Sequence, residues 1–397
     1  MFQKIVRFLI FVFFKIVLSV RYRVKVKGLE KLSPENLKSP GGVLFLPNHS
    51  SVFVDPTIIT LALFGKFPIR PIIVEYMFYT PIVNRLMRIL NALPIPDLRY
   101  TANSIKRKRT KKILEKIAEG LNEGDNFLIY PAGRVKLSRY ESVAGASGVH
   151  TILSMRPEAN VVLVRSEGLY GSIFSTALTG KVEPMFGGIF RGIKIALKNL
   201  IFFGPRREIT LEFMPAPADF PRTASRIELN HWLEVWYNRP YETLHDTSPP
   251  KELPGEQVYL VPHSLWSSDV PKIDLKRKEE TDIDLDAVPE GVRHRIYEKV
   301  ALLANRNQAT LDDATDLAQD LGLDSLDGAE LIAFLEEEFS ITGVPPQELT
   351  TSVNYWGSPH VRWSSRRKRN KRRFSTSSFG IAPSAMRRSR RLFPAKR

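Results

Sequence analysis

The sequence contains no cysteine. This absence excludes a disulfide scaffold, a zinc finger, an iron–sulfur protein and a thiol nucleophile. The chain also lacks a P-loop and the glycine fingerprint of a dinucleotide-binding fold. Apart from His49, discussed below, the histidines do not cluster at the spacing of metal ligands. We therefore predict no metal site.

A long hydrophobic run is missing as well. The most apolar stretch, 8–20, has thirteen residues and is interrupted by Lys15, whereas a membrane-spanning helix needs about 20. On a helical wheel Lys4, Arg7, Lys15 and Arg21 fall within about a third of the circle. We therefore predict that residues 1–28 form a membrane-interface helix and a basic strand, with the basic stripe facing anionic headgroups. The expected location is the cytoplasmic face of a bacterial inner membrane.

Charge is distributed very unevenly along the chain. The 397 residues carry a net charge of +16, with about +11 in residues 1–288, −9 in 289–350 and +14 in 361–397. The last segment contains no acidic residue at all. This asymmetry predicts separate parts with separate partners.

Residues 41–215 alternate short apolar strands with helical patterns, which favours an α/β fold. We predict one domain over 29–245 with a mixed sheet flanked by helices, and a linker over 246–288, where proline and polar residues replace sustained periodicity. The predicted strands are 42–46, 69–74, 126–130, 161–165 and 208–213. The predicted helices are 55–63, 81–91, 104–119, 148–155 and 226–237.

The first candidate site, Asn48-His49 followed by Asp55, comes directly after a predicted strand. A histidine held by a carboxylate can act as a general base, because the carboxylate fixes the tautomer and stabilises the imidazolium. Asp55 also opens an apolar helix, so a helix-capping role is the alternative. A second site, Tyr130-Pro-Ala-Gly-Arg134, ends a strand in a turn, where Gly133 permits close backbone approach and Arg134 can grip a phosphate.

The order of these motifs, with the later stretch 160–169 (NVVLVRSEGL), resembles the glycerophospholipid acyltransferase family. Residues 164–180 (VRSEGLYGSIFSTALTG) are most similar to the 2-acylglycerophosphoethanolamine type. The resemblance covers about 5–240. It implies that His49 deprotonates an acceptor hydroxyl, which attacks an acyl thioester, and that Asp55 orients His49. It also implies that Asn48, Gly133 and Arg134 bind the lysophospholipid or acylglycerol phosphate substrate.

Three departures from the family pattern bear on activity. Five residues separate His49 from Asp55 where the family has four, so either the backbone is altered or Asp55 serves mainly as a cap. Ala132 stands where the family has glutamate. In the segment between the motifs only Arg99 is available for the glycerol phosphate, out of register. A catalytically silent acyl-carrier or scaffold protein is therefore the alternative.

The third candidate site is Ser325, in the sequence LGLDSL ahead of an acidic helix. A capping serine is the ordinary interpretation, but the pattern closely resembles an acyl carrier protein over 289–352. The resemblance implies a small four-helix carrier domain in which Ser325 carries 4′-phosphopantetheine, added by a phosphopantetheinyl transferase. The acyl donor is then an acyl-carrier protein or acyl-coenzyme A. A 43-residue linker has a random-coil reach of roughly 35–40 Å, compatible with delivery within one chain.

The carrier's last helix should follow residue 351, but Gly357 and Pro359 disfavour helix there. We therefore predict a defective last helix and a disordered basic tail over 353–397. Its abrupt Arg/Ser composition is typical of an out-of-frame segment. The rival interpretation is a tail that binds anionic lipid or RNA. No aromatic interleaving supports RNA, and we expect no nucleic-acid partner.

Overall fold

A seven-stranded sheet forms the centre of the computed structural model. The strands are Tyr22–Lys27 (β1), Val43–Pro47 (β2), Ile69–Val74 (β3), Leu93–Ile95 (β4), Asn126–Leu128 (β5), Asn160–Glu167 (β6) and Arg207–Pro215 (β7). Their order is β1-β7-β6-β2-β5-β3-β4, and every neighbouring pair is parallel except β6 with β7. The structure describes residues 2–33, 37, 39–96, 104–143, 145–182, 184–240, 254–264, 266, 270–271, 289–304, 311, 317, 321, 323 and 325–339.

The helices of the described residues lie mostly between the strands. They are Phe2–Ser19 (α1), Val54–Leu63 (α2), Glu75–Phe78 (α3), Pro81–Ile89 (α4), Ser104–Asn122 (α5), Gly148–Met155 (α6), Met185–Lys198 (α7), Arg226–Asn238 (α8), Glu290–Ala304 (α9) and Ser325–Phe339 (α10). The predicted mixed α/β class is confirmed. All five predicted strands and all five predicted helices of the first domain are present, with ends that differ by up to three residues. The prediction missed α7, β4 and the short α3.

Strand β2 shows why the sheet is stable. All five of its residues are buried, and the first four alternate between two apolar cores, as the period of a strand requires. Leu44 and Leu46 belong to the core that α5, α6 and α8 cover. Val43 and Phe45 belong to the core that α2 covers on the opposite face. Burial on both faces is the arrangement expected of parallel strands.

Helix α1 packs at the end of α2 through the stacked rings of Phe11 and Phe64, the residue that follows α2, with centroids 4.2 Å apart. Two residues of the predicted basic stripe donate hydrogen bonds to carbonyls of the protein. Arg7 Nε donates to Ile89 O at 2.7 Å, and the Arg21 guanidinium donates to Pro205 O and, at 3.0 Å, to Pro262 O. Among the described helices, none combines the length and the apolar composition needed to cross a bilayer.

Part of the predicted linker, 254–264, packs against the sheet domain. Tyr259 N donates to Tyr170 O at 2.9 Å, and Gly255 N donates to Asn238 O at 3.3 Å. Val261 and Ser264 are buried. Arg207 secures the contact, because its buried guanidinium donates to the carbonyls of Gly168, Gly171 and Tyr259. Sequence reasoning did not foresee this packing.

Helices α9 and α10 pack together over a separate small core. Its buried members are Ile296, Val300, Leu317, Leu323, Leu331 and Leu335. Two ion pairs join the helices, Lys299–Glu330 at 2.8 Å and Arg295–Glu338 at 3.2 Å. The predicted defective last helix and the basic tail lie outside the described residues.

The role of Arg207 is testable by proteolysis. In Arg207→Leu the three carbonyls lose their donor, at a cost of about 1–3 kcal/mol for each buried group left unpaired. We expect segment 254–264 to detach, so that a glutamate-specific protease cleaves at Glu256 much faster than in the wild type, as read by mass spectrometry of fragment ends. Arg206→Leu, an exposed neighbour, is the control. Equal cleavage rates in both variants would contradict the assignment.

Candidate active site

The loop between β2 and α2 carries the first predicted site. Asn48, at its start, forms a reciprocal pair with β6: Ser166 N donates to Asn48 Oδ1 at 2.8 Å, and Asn48 Nδ2 donates to Ser166 O at 3.0 Å. The Asn48 side chain also donates to Ser50 Oγ at 3.2 Å and is buried. These contacts give Asn48 a part in fixing the loop, and its contact with substrate stays a prediction.

The loop brings His49 and Asp55 together despite the extra residue between them. His49 Nδ1 lies 3.5 Å from Asp55 Oδ2, at ion-pair distance but outside hydrogen-bond geometry. The Asp55 carboxylate is fully buried and accepts hydrogen bonds from Ser50 N and Ser166 Oγ, each at 3.0 Å. Asp55 is also the acidic residue in the first turn of α2, where a carboxylate suits the positive end of the helix dipole. The pairing with His49 and the role at the start of the helix are therefore both present in the structure.

The imidazole of His49 has a second neighbour that the sequence analysis missed. Its ring stacks on Tyr130, with centroids 3.8 Å apart and planes 18° apart. Burial raises the pKa of the Tyr130 hydroxyl well above its ordinary value, so the phenol stays protonated at neutral pH. The stack fixes the plane of the ring and leaves the His49 side chain 14% exposed.

Glu141 holds the backbone of His49. Its Oε2 accepts from His49 N at 3.1 Å, and its own backbone exchanges two hydrogen bonds with the side chain of Asn238, at 2.9 and 2.8 Å. Burial raises the pKa of the Glu141 carboxyl to about 7, with Asp55 and Glu256 adding to the shift and Lys136 opposing it. No local sequence pattern marks this residue.

Glu256, from the segment 254–264, is the other carboxylate beside the loop. Its Oε2 accepts from Ser50 Oγ at 2.7 Å and pairs with Lys136 Nζ. Its Oε1 accepts from the backbone N–H groups of Gly168 and Tyr170, each at 3.1 Å. A residue of the predicted linker thus braces the residue that follows His49.

The second predicted site lies beside the first. Gly133 closes the turn after β5 with φ +63° and donates its N–H to Tyr130 O at 2.9 Å. Arg134 is half-buried. Burial lowers the pKa of its guanidinium, and Glu141 and Glu234 work in the opposite direction. The turn therefore places one cation near the carboxylate that holds His49.

Two further residues predicted from the sequence are Arg99 and Ser325. Arg99 lies outside the described residues. Ser325 is the first residue of α10, after the buried Leu323. Within the part of the chain that the structure describes, no three histidine or acidic side chains come together as a metal site.

Comparison with known proteins identifies both parts of the chain. Residues 23–164 match the family model "Acyltransferase", and residues 294–354 match the model "Phosphopantetheine attachment site". The predicted fusion of an acyltransferase to a carrier domain is thereby confirmed, as is attachment of 4′-phosphopantetheine to a serine of the second domain. The chain therefore contains an acyltransferase-type domain over 23–164 and a carrier domain.

Among solved structures, the chain is similar to the 1-acyl-sn-glycerophosphate (LPA) acyltransferase PlsC from Thermotoga maritima. The identity is 19%, the TM-score is 0.35, and the match covers 58% of this chain and 75% of that one. A search of the curated proteins gives no significant match.

The pKa of Glu141 predicts a pH effect on stability. A carboxyl whose pKa rises from 4.5 to about 7 on folding contributes stability that is complete below pH 4.5 and is lost as the pH rises to 7. Relative to Glu141→Gln, the wild type should therefore lose up to about 1.4 kcal/mol of unfolding free energy for each pH unit in this window. Denaturant unfolding of both proteins from pH 4.5 to 8 measures the difference. A constant difference across this range would contradict the assignment.

Proposed function

We propose that this acyltransferase moves a fatty acyl group from a phosphopantetheine thioester to the hydroxyl of a lysophospholipid or acylglycerol phosphate, at a membrane surface. The observation that carries the proposal is the pairing of His49 Nδ1 with the buried Asp55 carboxylate at 3.5 Å. The His49–Asp55 pair lies beside the Gly133–Arg134 turn. The same chain also contains a carrier domain. The donor is an acyl-carrier protein, including the chain's own domain, or acyl-coenzyme A.

His49 is the general base of the proposed reaction. Asp55 faces Nδ1 and stabilises the imidazolium, which leaves Nε2 to take the proton of the acceptor hydroxyl. The hydroxyl oxygen attacks the thioester carbonyl carbon, so that a carbon–oxygen bond forms and the carbon–sulfur bond breaks. The proton held by His49 then passes to the departing thiolate. No nucleophilic side chain is required.

Arg134 supplies the positive charge for the acceptor's phosphate. A guanidinium binds phosphate oxygens in two-point fashion. Its partial burial strengthens the attraction, because the effective dielectric is lower there than in water. The phosphate would sit near the turn while the free hydroxyl of the same lipid faces His49.

Ser325 fits the attachment of 4′-phosphopantetheine to the carrier domain. It begins α10, where the positive end of the helix dipole favours a phosphodiester. Leu323 on one side and Leu331 on the other are anchored in the small core, so the helix start is held in place. The bound group supplies the thiol that carries the acyl chain as a thioester, which a chain without cysteine does not itself provide.

Exposed apolar side chains of α1 support membrane association. Phe8, Leu9, Phe13 and Ile16 are each 55–60% exposed. A helix with such a face and flanking basic residues is typical of the lipid interface. The corresponding location is the cytoplasmic face of a bacterial inner membrane, where both acyl-carrier protein and lysophospholipid are accessible.

Removal of the base is the primary test. His49→Ala should lower acyl transfer about 10²–10⁴-fold, the usual contribution of a positioned general base. The assay supplies labelled acyl-carrier protein and acyl-coenzyme A to a panel of lysophospholipids and acylglycerol phosphates. His231→Ala, an exposed histidine on α8, is the matched control and should keep wild-type activity. Undiminished transfer by folded His49→Ala protein would overturn the mechanism.

The carrier assignment has a test that does not depend on transfer. After treatment with a phosphopantetheinyl transferase, the wild type and Ser340→Ala should gain the mass of one phosphopantetheinyl group, and Ser325→Ala should gain none. Ser325→Ala should still use free acyl-coenzyme A, since His49 is untouched. Modification of Ser325→Ala would assign the group to another serine.

A further inference from the structure

Helix α7 is held against the sheet domain by its small residues. Gly188 lies against the ring of Phe174, where any side chain would collide with the ring, and Gly192 faces Ile173. The buried Asn199 ends the helix, and its Nδ2 donates to Ile195 O and to His263 O, both at 2.7 Å. One face of α7 is therefore fixed to the body of the protein.

The opposite face of α7 is apolar and exposed. Phe186, Phe190, Ile193 and Leu197 are 46%, 70%, 49% and 61% exposed. Their spacing puts them within about 60° of the helix circumference. The outward face of a helix on a soluble protein is normally polar, and a contiguous exposed apolar surface marks an interaction site.

The turn after α7 extends this surface. Leu200, Ile201, Phe202 and Phe203 follow one another and are 68%, 43%, 70% and 54% exposed. Leu200 and Ile201 have φ +48° and +67°, a left-handed conformation that is rare for a β-branched residue. The turn is closed by the hydrogen bond of Phe203 N to Asn199 O at 3.0 Å. The chain thus holds four consecutive apolar side chains in a turn where water would favour polar ones.

The charges around the surface identify its partner. Residues 185–206 contain no acidic residue, and their basic side chains Arg191, Lys194, Lys198 and Arg206 are exposed. The three on the helix lie along one flank of the apolar face, at about 100° per residue. An apolar face with aromatic residues and a cationic flank matches the interface of an anionic bilayer.

A chain of aromatic contacts connects α1 and the body-facing side of α7 with the loop between β2 and α2. Phe14 of α1 lies 6.3 Å from Phe53, and Phe53 lies 5.9 Å from Phe174, centroid to centroid. Phe174 in turn contacts α7 at Gly188. Since Phe53 stands between His49 and Asp55 in the chain, a membrane that touches both helices would lie beside the loop that carries the base.

We propose that α7 and the turn 199–204 form a second membrane-contact surface, which docks on an anionic bilayer together with α1. The inference rests on the proposed function, in which the acceptor is a membrane lipid, and it deepens that function by naming the surface through which the bilayer is reached.

The absence of cysteine allows a direct test. A single cysteine introduced as Phe190→Cys, Phe202→Cys, Phe13→Cys or Leu302→Cys is the only labelling site for an environment-sensitive fluorophore. Vesicles of phosphatidylethanolamine and phosphatidylglycerol are then added to the full chain. We expect a blue shift at positions 190, 202 and 13 and none at 302, an equally exposed position on α9.

Each other pattern would overturn the proposal in a recognisable way. A shift at position 13 without shifts at 190 and 202 means that α1 binds the membrane alone. A shift at 190 that depends on protein concentration and not on vesicles means that a second copy of the chain covers the surface. No shift at any position removes membrane association from the proposed function as well.

Activity separates this inference from the chemistry. Phe190→Ser/Phe202→Ser should lower binding to anionic vesicles about tenfold or more, because two apolar side chains no longer enter the interface. Its transfer to detergent-dispersed lysophospholipid should match the wild type, while transfer to acceptor in vesicles falls. Leu302→Ser is the control in both assays. Vesicle binding unchanged by the double substitution would contradict the proposal, whether or not acyl transfer is observed.

Discussion

The geometry of the candidate active site depends on the ion pair and the hydrogen bonds of the buried Glu256 carboxylate. A buried ion pair with Lys136 is costly to desolvate, and only good geometry and further hydrogen bonds repay that cost. Here Ser50 Oγ and the N–H groups of Gly168 and Tyr170 complete the set. Ser50 connects the network to Asp55, the carboxylate beside His49, because its N–H donates to Asp55 while its hydroxyl donates to Glu256. Ser50, the residue that follows His49, is therefore fixed through both its backbone and its side chain.

This bracing explains how a longer loop keeps the pairing of base and carboxylate. The loop between His49 and Asp55 has one additional residue, and its two serines both bind Asp55. Ser50 N donates to the Asp55 carboxylate, and Ser51 Oγ accepts from Asp55 N at 3.1 Å. A second buried side chain, Glu141, holds the start of the loop. It lies near Arg134 and accepts a hydrogen bond from the backbone N–H of His49.

The sequence predicted the elements that local patterns determine, and it did not predict contacts between residues that are distant in the chain. Period-two and helical patterns predicted the central strands and most helices, because these elements bury regular faces. Helix α7 was missed because Gly187, Gly188 and Gly192 lower its helix propensity, and its outward face is as apolar as its inward one. Glu141 and Glu256 were missed because their partners lie about 90 and 200 residues away in the chain, and no pattern of neighbours records such contacts. The composition of 254–264 predicted a linker, because the contacts that attach it are backbone hydrogen bonds, the Arg207 guanidinium and the single Glu256 side chain, none of which gives a periodic pattern.

The segment 254–264 joins the three parts that the proposed acyl transfer at a membrane requires. Pro262 O accepts from Arg21 at the end of α1, and His263 O accepts from Asn199 at the end of α7, so both apolar surfaces are tied to it. Glu256, a few residues earlier, braces the loop of the base. After residue 264 only 24 residues, 265–288, precede the carrier domain, and their covalent span is at most about 85 Å. The chain that tethers the proposed donor therefore starts from the segment that fixes both the proposed base and the surfaces proposed to meet the acceptor lipid. Changes in that segment should affect donor delivery, catalysis and membrane contact together.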